Sequence, residues 1–357
     1  MSKLKACVMG ATGIVGQHFV RALDDHPYFE LTLVTASERS EGVEYGEITD
    51  WIVSERVPDA ARQLQVNRTD AEAIASNGVD LVFSALPSGR AYDIEAELAS
   101  RGLPVFSNAG AHRMSAHVPI LIPEVNPEHL GLIDSQEYDG GYIVTNSNCS
   151  VSGLVFGLKP LMPFVIKTVT VSTYQALSGA GRNGVASIDI QGNVIPFIAN
   201  EEDKMRIEGQ KILGTFQDGL VKPADFKVYA SCARVPVMDG HLESVVVEFD
   251  APIDVDEASQ ILSVFSGPPQ ELRLPTAPEK PITLLEEQDR PQPRRDISVT
   301  EAGKGMDVKI GRLRSQDNRL SFFLLVHNTI RGAAGASVLN AEYAYAKGLL
   351  KKYEEVT

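Results

Sequence analysis

The sequence predicts an α/β protein in which a doubly wound, mainly parallel sheet is followed by a second unit of α+β type. Three observations predict this architecture. The chain opens with a strand, a glycine turn, a helix and a second strand, the order of a βαβ unit. Strand and helix patterns then alternate as far as residue 148, as in doubly wound folds. Beyond residue 165 the strands become longer and the helices fewer, which favours a mixed or antiparallel sheet.

The opening unit carries a glycine pattern typical of nucleotide-binding folds. A strand is expected at Leu4–Met9, a helix from the turn to about Asp25, and a second strand at Glu30–Thr35. The turn between the first strand and the helix reads Gly-Ala-Thr-Gly-Ile-Val-Gly over residues 10–16. Such glycines let the backbone approach a pyrophosphate that sits on the helix N-terminus. We therefore expect a Rossmann-type dinucleotide-binding unit.

Three more strands continue the first sheet. They are expected at Val79–Ala85, Leu103–Ser107 and Gly141–Val144, with a helix over residues 91–101. Several of the strands end in polar residues. Because ligands of doubly wound sheets bind beyond the carboxyl ends of the strands, these ends are candidate binding positions.

The second unit begins with the strongly alternating segment Val165–Gln175. Further strands are expected at 226–229, 231–236, 242–249, 307–313 and 319–326, and helices at 203–214 and 258–266. The proline-rich segment 267–295 is interpreted as a solvated loop. A last helix over 332–352 is expected to pack back on the first unit. We therefore assign residues 1–148 and 331–357 to the first domain and 149–330 to the second.

Composition limits the possible partners and locations. The chain has 357 residues, a net charge of −14 and no basic block longer than Arg294-Arg295, which argues against nucleic acid or an anionic membrane as a partner. It has three cysteines, an N-terminus without a signal-peptide pattern and no apolar run long enough to span a membrane. We expect a cytoplasmic protein without a metal site.

Cys149 is the candidate nucleophile. The polar cluster Thr145–Asn148 precedes it, and a run of small and apolar residues follows it as far as Leu161. This pattern predicts a helix that begins at or beside the cysteine. The helix dipole and the unpaired N–H groups of a helix N-terminus favour the nucleophilic thiolate. Taken alone, the pattern also fits a buried and inert cysteine, as expected for Cys7 and Cys232.

Four further segments contain residues suited to a polar site. These are Gln175–Gly181, Glu208–Lys211, Arg234–His241 and the loop that holds Arg113. The Glu208/Lys211 pair also fits a solvated helix face, and His241 also fits a loop cap. A buried arginine within an apolar strand needs an anion, and so Arg234 is harder to explain structurally.

In order and spacing, these motifs resemble the aspartate-β-semialdehyde dehydrogenase family. They are Gly-Ala-Thr-Gly-Ile-Val-Gly at 10–16, Ser-Asn-Ala at 107–109, Asn-Ser-Asn-Cys-Ser at 146–150, Gln-Ala-Leu-Ser-Gly-Ala-Gly at 175–181, Glu-Gly-Gln-Lys at 208–211, and Arg234 followed by His241. The segments 122–127 and 193–196 look like the archaeal and fungal-type branch of that family.

The resemblance implies reductive dephosphorylation of L-aspartyl 4-phosphate to L-aspartate 4-semialdehyde with NADPH, a step of lysine, threonine and methionine biosynthesis. Cys149 would form a thioester, His241 would act as general acid/base, Gln175 would orient the acyl group and Asn148 would steady an oxyanion. Arg234 would bind the substrate carboxylate, Glu208 its ammonium, and Lys211 with Arg113 its phosphate. The remaining substrate contacts expected are Asn108, Ser178 and Gly179.

The family resemblance and the residues after the second strand together predict NADP. The residues expected at the cofactor are Gly10, Thr12, Gly13, Ile14, Val15, Gly16, Ser37, Arg39, Ser40, Ser84, Leu86, Pro87 and Asn328. The hydroxyls of Ser37 and Ser40 and the guanidinium of Arg39 suit a 2′-phosphate, whereas Glu38 could bind the ribose of NAD instead.

Two acyl reductases are the nearest alternatives. Malonyl-CoA reductase and N-acetyl-glutamyl-phosphate reductase also use a cysteine thioester, and we take Glu208 as the discriminating residue because only an α-ammonium needs a carboxylate opposite it. A protein that binds NADP without catalysing a reaction is the alternative that is not an enzyme. The family pattern favours a homodimer or a homotetramer.

Overall fold

The computed structural model describes residues 2–297 and 303–350. Its first sheet has six strands, β1 Leu4–Met9, β2 Phe29–Ala36, β3 Val66–Arg68, β4 Leu81–Ser84, β5 Pro104–Ser107 and β6 Tyr142–Thr145. All neighbours are parallel, in the order β3-β2-β1-β4-β5-β6. The order reverses between β1 and β4, which places the ligand crevice beyond the carboxyl ends of these two strands.

Helices cover both faces of the first sheet. They are α1 Ile14–Ala22, α2 Tyr45–Ile48, α3 Asp59–Arg62, α4 Ala71–Ser76 and α5 Ser88–Ser100, with 3₁₀ turns at Glu38–Ser40 and Pro127–Ser135. β3 and α2–α4 lie in a region for which the sequence analysis predicted no elements.

The second sheet is mixed. Its strands are β7 Ile166–Gln175, β10 Lys227–Arg234, β11 His241–Phe249, β12 Ile282–Leu285, β13 Val308–Gln316 and β14 Arg319–Val326, and β8 Thr215–Gln217 with β9 Leu220–Lys222 forms a separate hairpin. The order is β10-β7-β11-β14-β13-β12, with parallel pairs at both ends and antiparallel pairs between. This sheet and the parallel first sheet confirm the predicted fold class.

Two details of the prediction for this sheet were wrong. β10 is one continuous strand and not two. The segment 267–295 is not only a solvated loop, because β12 pairs with β13 and Ile282 is buried.

The remaining helices pack mainly around the second sheet. They are α6 Cys149–Leu158, α7 Ser187–Ile190, α8 Glu201–Ile212, α9 Val255–Ser263, α10 Pro268–Glu271, α11 Pro293–Asp296 and α12 Gly335–Ala346, with 3₁₀ turns at Lys159–Phe164 and Leu177–Ala180 and a π turn at Ile330–Ala334. α6 is buried over Ser150–Leu158, and its apolar residues share one core with β7, β11 and β14.

α12 packs on the first sheet. Its residues Val338, Leu339, Ala341 and Ala344 share a core with β1, β2 and α1. Residues 351–357, part of the predicted terminal helix and domain segment, lie outside the described residues. Of the helices described, none is long and apolar enough to cross a membrane.

Candidate active site

Cys149 is the first residue of α6, and Asn148 caps that helix. The Asn148 Oδ1 accepts hydrogen bonds from the N–H groups of Ser150 at 2.9 Å and Val151 at 3.2 Å. The Asn148 Nδ2 donates to Glu201 at 2.9 Å. The side chain therefore fixes the start of the helix, and this geometry differs from the predicted oxyanion contact, because Oδ1 is an acceptor and Nδ2 is directed at a carboxylate.

Cys149 faces His241 across a short contact. The distance from Cys149 Sγ to His241 Nε2 is 3.2 Å, and the Ala176 N–H donates to His241 Nδ1 at 3.0 Å. Since Nδ1 accepts this bond, the neutral ring carries its proton on Nε2, next to the sulfur. Burial, followed by the charges of Arg234 and His327, lowers the pKa of His241 to about 3, so the ring is neutral near pH 7.

Burial also dominates the state of the thiol. It raises the pKa of Cys149 to about 12, and Glu201 adds to this effect, while Arg113, Arg234 and Lys204 act in the opposite direction. Burial and the helix N-terminus therefore act on this thiol in opposite directions, because a helix N-terminus favours the thiolate and burial favours the neutral thiol.

Glu201, which the sequence analysis did not identify, connects the residues around the nucleophile. Its Oε1 accepts from both Asn148 Nδ2 at 2.9 Å and Gln175 Nε2 at 3.0 Å, and its Oε2 lies 3.3 Å from Lys204 Nζ. Glu201 is 3% exposed. One carboxylate thus orients two amides on either side of Cys149.

The predicted substrate residues Glu208 and Lys211 are engaged elsewhere. Glu208 accepts from Arg113 Nη1 at 3.0 Å and from the Asn148 N–H at 2.7 Å. The Lys211 ammonium donates to three backbone carbonyls, those of Arg113, Ser115 and Val118. Both side chains are buried, and these hydrogen bonds hold them against the loop of Arg113.

A cavity of about 440 Å³ opens beside Cys149. Among its lining residues are Gly13, Ile14, Val15, Leu86, Pro87, Asn108, Arg113, Asn148, Cys149, Ser178, Gly179, Lys204 and Asn328. Two buried donors of these residues, Asn108 Nδ2 and Arg113 Nε, have no hydrogen-bond partner among the described residues. Arg234 donates to the Ala176 carbonyl at 2.7 Å through Nη1 and keeps further donors.

Two family models match the chain. They are "Semialdehyde dehydrogenase, NAD binding domain" over residues 5–133 and "Semialdehyde dehydrogenase, dimerisation domain" over residues 158–331. The aspartate-semialdehyde dehydrogenase of Archaeoglobus fulgidus is 51% identical over 339 residues, which cover 94% of this chain and 96% of the relative. The chain belongs to the aspartate-semialdehyde dehydrogenase family. This membership confirms the resemblance stated from the sequence motifs.

Two further relatives extend the comparison. A crystal structure of aspartate semialdehyde dehydrogenase with NADP from Candida albicans matches with a TM-score of 0.88 and 37% identity, covering 97% of this chain and 100% of that one. The malonyl CoA reductase (NADP) of Metallosphaera sedula is 39% identical and covers 98% of this chain and 99% of the relative. The chain is therefore similar over nearly its whole length to proteins with two different names, an aspartate semialdehyde dehydrogenase and a malonyl CoA reductase.

The glycine turn of this family member fits a dinucleotide phosphate. A Cβ at Gly16 would lie 2.2 Å from the Gly10 carbonyl oxygen, and Gly10 itself has φ of +72°. Glycine at these two positions lets α1 start directly against the strand end, where its N–H groups can bind phosphate. Leu86 and Pro87 line the same cavity, whereas Ser84 is fully buried and does not reach it.

The residues predicted to meet the ribose follow the carboxyl end of β2. Ser37 and Arg39 are exposed and Ser40 is buried. Glu38 forms an ion pair with Arg68, with 3.3 Å between Oε1 and Nη2. Arg68, which sequence reasoning missed, ends β3 beside the end of β2 and draws the carboxylate of Glu38 toward itself.

The C-terminal part of the chain also reaches the site. Asn328 accepts from the Gly240 N–H and donates to Ser178 Oγ, both at 2.8 Å. Gly332 packs directly on the nucleophile, because a Cβ there would lie 2.7 Å from Cys149 Cβ. No motif in the sequence marked Gly332, since the contact joins residues far apart in the chain. Within the described part of the chain, no three His, Cys, Asp or Glu side chains are grouped to hold a metal ion.

Proposed function

We propose that this protein converts L-aspartyl 4-phosphate and NADPH into L-aspartate 4-semialdehyde, phosphate and NADP, through a thioester on Cys149. The observation that carries this proposal is the pairing of Cys149 Sγ with the Nε2–H of His241 at 3.2 Å in a cavity rich in cations. The reaction supplies aspartate-family amino-acid biosynthesis, of lysine, threonine and methionine.

Cys149 and His241 would carry the covalent steps. The Cys149 sulfur attacks the acyl carbon, the S–C bond forms and the C–O bond to phosphate breaks, and the thiol proton leaves with the phosphate as hydrogen phosphate. The Nε2–H of His241 forms a hydrogen bond first to the sulfur and then to the oxygen that becomes negative in each tetrahedral state. When bound, NADPH would supply the hydride that reduces the acyl carbon; the C–S bond would then break, and the Cys149 sulfur would take up a proton from solvent.

We assign two of the substrate contacts to residues about two helical turns earlier on α8 than the sequence motif indicated. Glu201 and Lys204 repeat the Glu-x-x-Lys spacing of Glu208 and Lys211, and Lys204 lines the cavity. We assign the α-ammonium to Glu201, because its charge acts on both Cys149 and Arg234; the ammonium would share this carboxylate with Asn148, Gln175 and Lys204. The phosphate is assigned to Lys204 and Arg113, with Asn108 Nδ2 as a further donor. Arg234 retains the substrate carboxylate, and Glu208 and Lys211 position the Arg113 loop.

NADP would bind across the glycine turn. The residues that would hold it are those of the turn with Leu86, Pro87 and Asn328, and Ser37 and Arg39 would meet the 2′-phosphate. The ion pair with Arg68 supports NADP over NAD, because it occupies the Glu38 carboxylate that would otherwise bind the ribose hydroxyls of NAD.

The domain division at 148/149, the location and the assembly also remain proposals. Three unpaired cysteines suit a reducing cytoplasm. We propose a homodimer formed by the face of the second sheet opposite α6, with a homotetramer built from two such dimers as the alternative. Tyr174 and Tyr229 are exposed on that face. The segment between β7 and β10 in the sequence has three further exposed apolar residues, Ile188, Val194 and Phe197.

A reverse-direction assay tests the reaction. Aspartate semialdehyde, phosphate and NADP should give NADPH absorbance, and omission of phosphate should abolish it. A signal only with malonic semialdehyde and CoA would contradict the proposed substrate and favour the malonyl-CoA reductase alternative.

A further inference from the structure

Glu95 is a buried carboxyl group directly behind the proposed phosphate site. It belongs to α5 and is fully buried. The Ser107 hydroxyl donates to its Oε1 at 2.7 Å, while its Oε2 has no hydrogen-bond partner among the described residues. A buried carboxyl with one free oxygen is costly to keep for packing alone.

The hydrogen bond from Ser107 connects Glu95 to the segment that lines the cavity. Ser107 Oγ also accepts from the Ala109 N–H at 3.0 Å, and so it joins Glu95 to the turn that begins there. The same turn is held by the Gly110 N–H, which donates to Ser88 Oγ at 3.1 Å. Asn108 and Arg113 project from this segment into the cavity wall. The position of two proposed phosphate ligands therefore depends on the Glu95–Ser107 bond.

The surroundings of Glu95 shift the pKa of its carboxyl group toward neutral pH. Burial raises its pKa to about 7, while the neighbouring hydroxyls of Ser84 and Ser107 and the charge of Arg113 act in the opposite direction. His112 Nε2 lies 3.8 Å from Glu95 Oε2, but this nitrogen is 3.0 Å from the Tyr92 carbonyl and burial lowers the His112 pKa, so the ring is neutral. Tyr138 is the other titratable neighbour, and its pKa is raised.

We propose that Glu95 is a positioning residue for the phosphate-binding segment 107–113, and that its protonated form gives the site its higher affinity for phosphate. An ionised Glu95 adds a second negative charge near Arg113, whose Nη1 already donates to Glu208 at 3.0 Å, and so weakens the attraction of the guanidinium for phosphate. A neutral Glu95 keeps the bond to Ser107 without that competition. The inference rests on the proposed function, because it takes phosphate as the ligand of Arg113.

Protection of Cys149 by inorganic phosphate tests the inference without turnover. The measured quantity is the phosphate concentration that halves the rate of Cys149 alkylation by iodoacetamide, at pH 6 and pH 8, in the full-length protein. The variants are Glu95→Gln, which keeps an oxygen acceptor for Ser107 but cannot ionise, and Glu95→Ala, which loses the acceptor. Glu97→Gln on the exposed side of α5 is the matched control.

The quantity compared is the ratio of the half-protecting phosphate concentration at pH 8 to that at pH 6. We expect this ratio to be about threefold larger in the wild type than in Glu95→Gln, and a factor of three corresponds to about half a pKa unit. The titration of phosphate itself is common to both proteins and cancels. Glu95→Ala should need about tenfold more phosphate at both pH values and retain wild-type affinity for NADP.

Two results would overturn the inference. Identical pH dependence of wild type and Glu95→Gln would show that the proton does not matter, and equal losses of phosphate and NADP affinity in Glu95→Ala would show a general structural defect. If phosphate protects no form of the protein, the phosphate site of the proposed function fails as well, and this result is distinct from the other two.

Discussion

The backbone N–H of Ala176 decides which nitrogen of His241 faces the nucleophile. Because Nδ1 accepts that bond, Nε2 presents a proton to Cys149 Sγ. A ring in this state donates to sulfur or oxygen and has no free nitrogen to take the thiol proton. In the resting site His241 can therefore act as a donor but not as a base, which is only one half of the general acid/base role expected from sequence.

Replacing the nucleophile separates chemistry from binding. Cys149→Ser should lower the turnover rate by a factor on the order of 10⁴ or more, because a hydroxyl is a far weaker nucleophile than a thiolate. NADP affinity, measured by calorimetry, should stay at the wild-type value. Retained turnover would contradict the thioester mechanism.

The two lysines of α8 should respond differently to truncation. Lys204→Ala should raise KM for phosphate about tenfold or more at unchanged Tm, since this side chain lines the cavity and is partly exposed. Lys211→Ala should instead lower the free energy of unfolding by about 1–3 kcal/mol, because three carbonyls lose their hydrogen-bond donor. Steady-state kinetics and thermal unfolding of both variants provide the comparison, and a reversed pattern would restore the assignment made from sequence.

Glu95 also predicts a pH dependence of stability. Its pKa is about 7 in the folded chain and 4.5 ordinarily, so the folded state binds more protons between these values and loses stability as the pH rises through that window. Glu95→Gln lacks this loss. Its free energy of unfolding relative to wild type should increase by about 3 kcal/mol from pH 4.5 to 7 and stay level above pH 7. Urea unfolding at several pH values measures this difference, and a constant difference would contradict the assigned titration.

At the residue scale, sequence reasoning identified the side chains that belong to short, distinctive motifs. The structure brings Cys149, His241, Gln175 and Arg234 together. Sequence patterns alone could not weigh Glu201 and Lys204 against Glu208 and Lys211, because the Glu-x-x-Lys pattern occurs twice on α8. Both Glu-x-x-Lys pairs of α8 have the same spacing, and only tertiary packing shows that the first reaches the cavity and the second the backbone of residues 113–118.

The start of α6 is the element on which the reacting geometry depends. Asn148 caps it, and the π turn Ile330–Ala334 packs against it through Gly332. The helix start follows from a local sequence pattern, which predicted a helix that begins at or beside Cys149. The glycine contact is long-range, and nothing in the local sequence indicates it.

A methyl group at residue 332 should displace the nucleophile. In Gly332→Ala the new Cβ would lie 2.7 Å from Cys149 Cβ and 2.9 Å from its Cα, so one backbone must move. We expect turnover to fall about 10- to 100-fold, as small misplacements of reacting groups do. Gly209→Ala on α8, where a Cβ meets nothing within 4 Å, is the control. Wild-type kinetics in Gly332→Ala would show that α6 tolerates the shift.

At this scale, elements with a strong local pattern were predicted within a few residues of their observed bounds. β1 and β14 match at both ends. The four-residue helices α2 and α3 have too few residues to show periodicity, and β12 lies among prolines and gains its strand geometry from pairing with β13. Its partner lies more than twenty residues further along the chain.

For the whole molecule, the open face of the second sheet predicts the assembly. Light scattering should give about twice the chain mass of 38.7 kDa. Tyr229→Glu should shift the protein toward the monomer, because a charge replaces an exposed aromatic side chain on the proposed interface. Val264→Glu, at an exposed apolar residue next to α9, is the control. A dimer that survives Tyr229→Glu and Phe197→Glu would place the interface elsewhere.

The nucleophile and its partners are anchored mainly to one packed body. α6 is buried against the second sheet, His241 lies on β11, and Gln175 ends β7, whereas the glycine turn belongs to the first sheet. In the proposed reaction the second body would therefore hold the acyl group, and the glycine turn of the first would hold the coenzyme. The contacts that α6, β7 and β11 make around Cys149 could stay in place while the coenzyme binds or leaves.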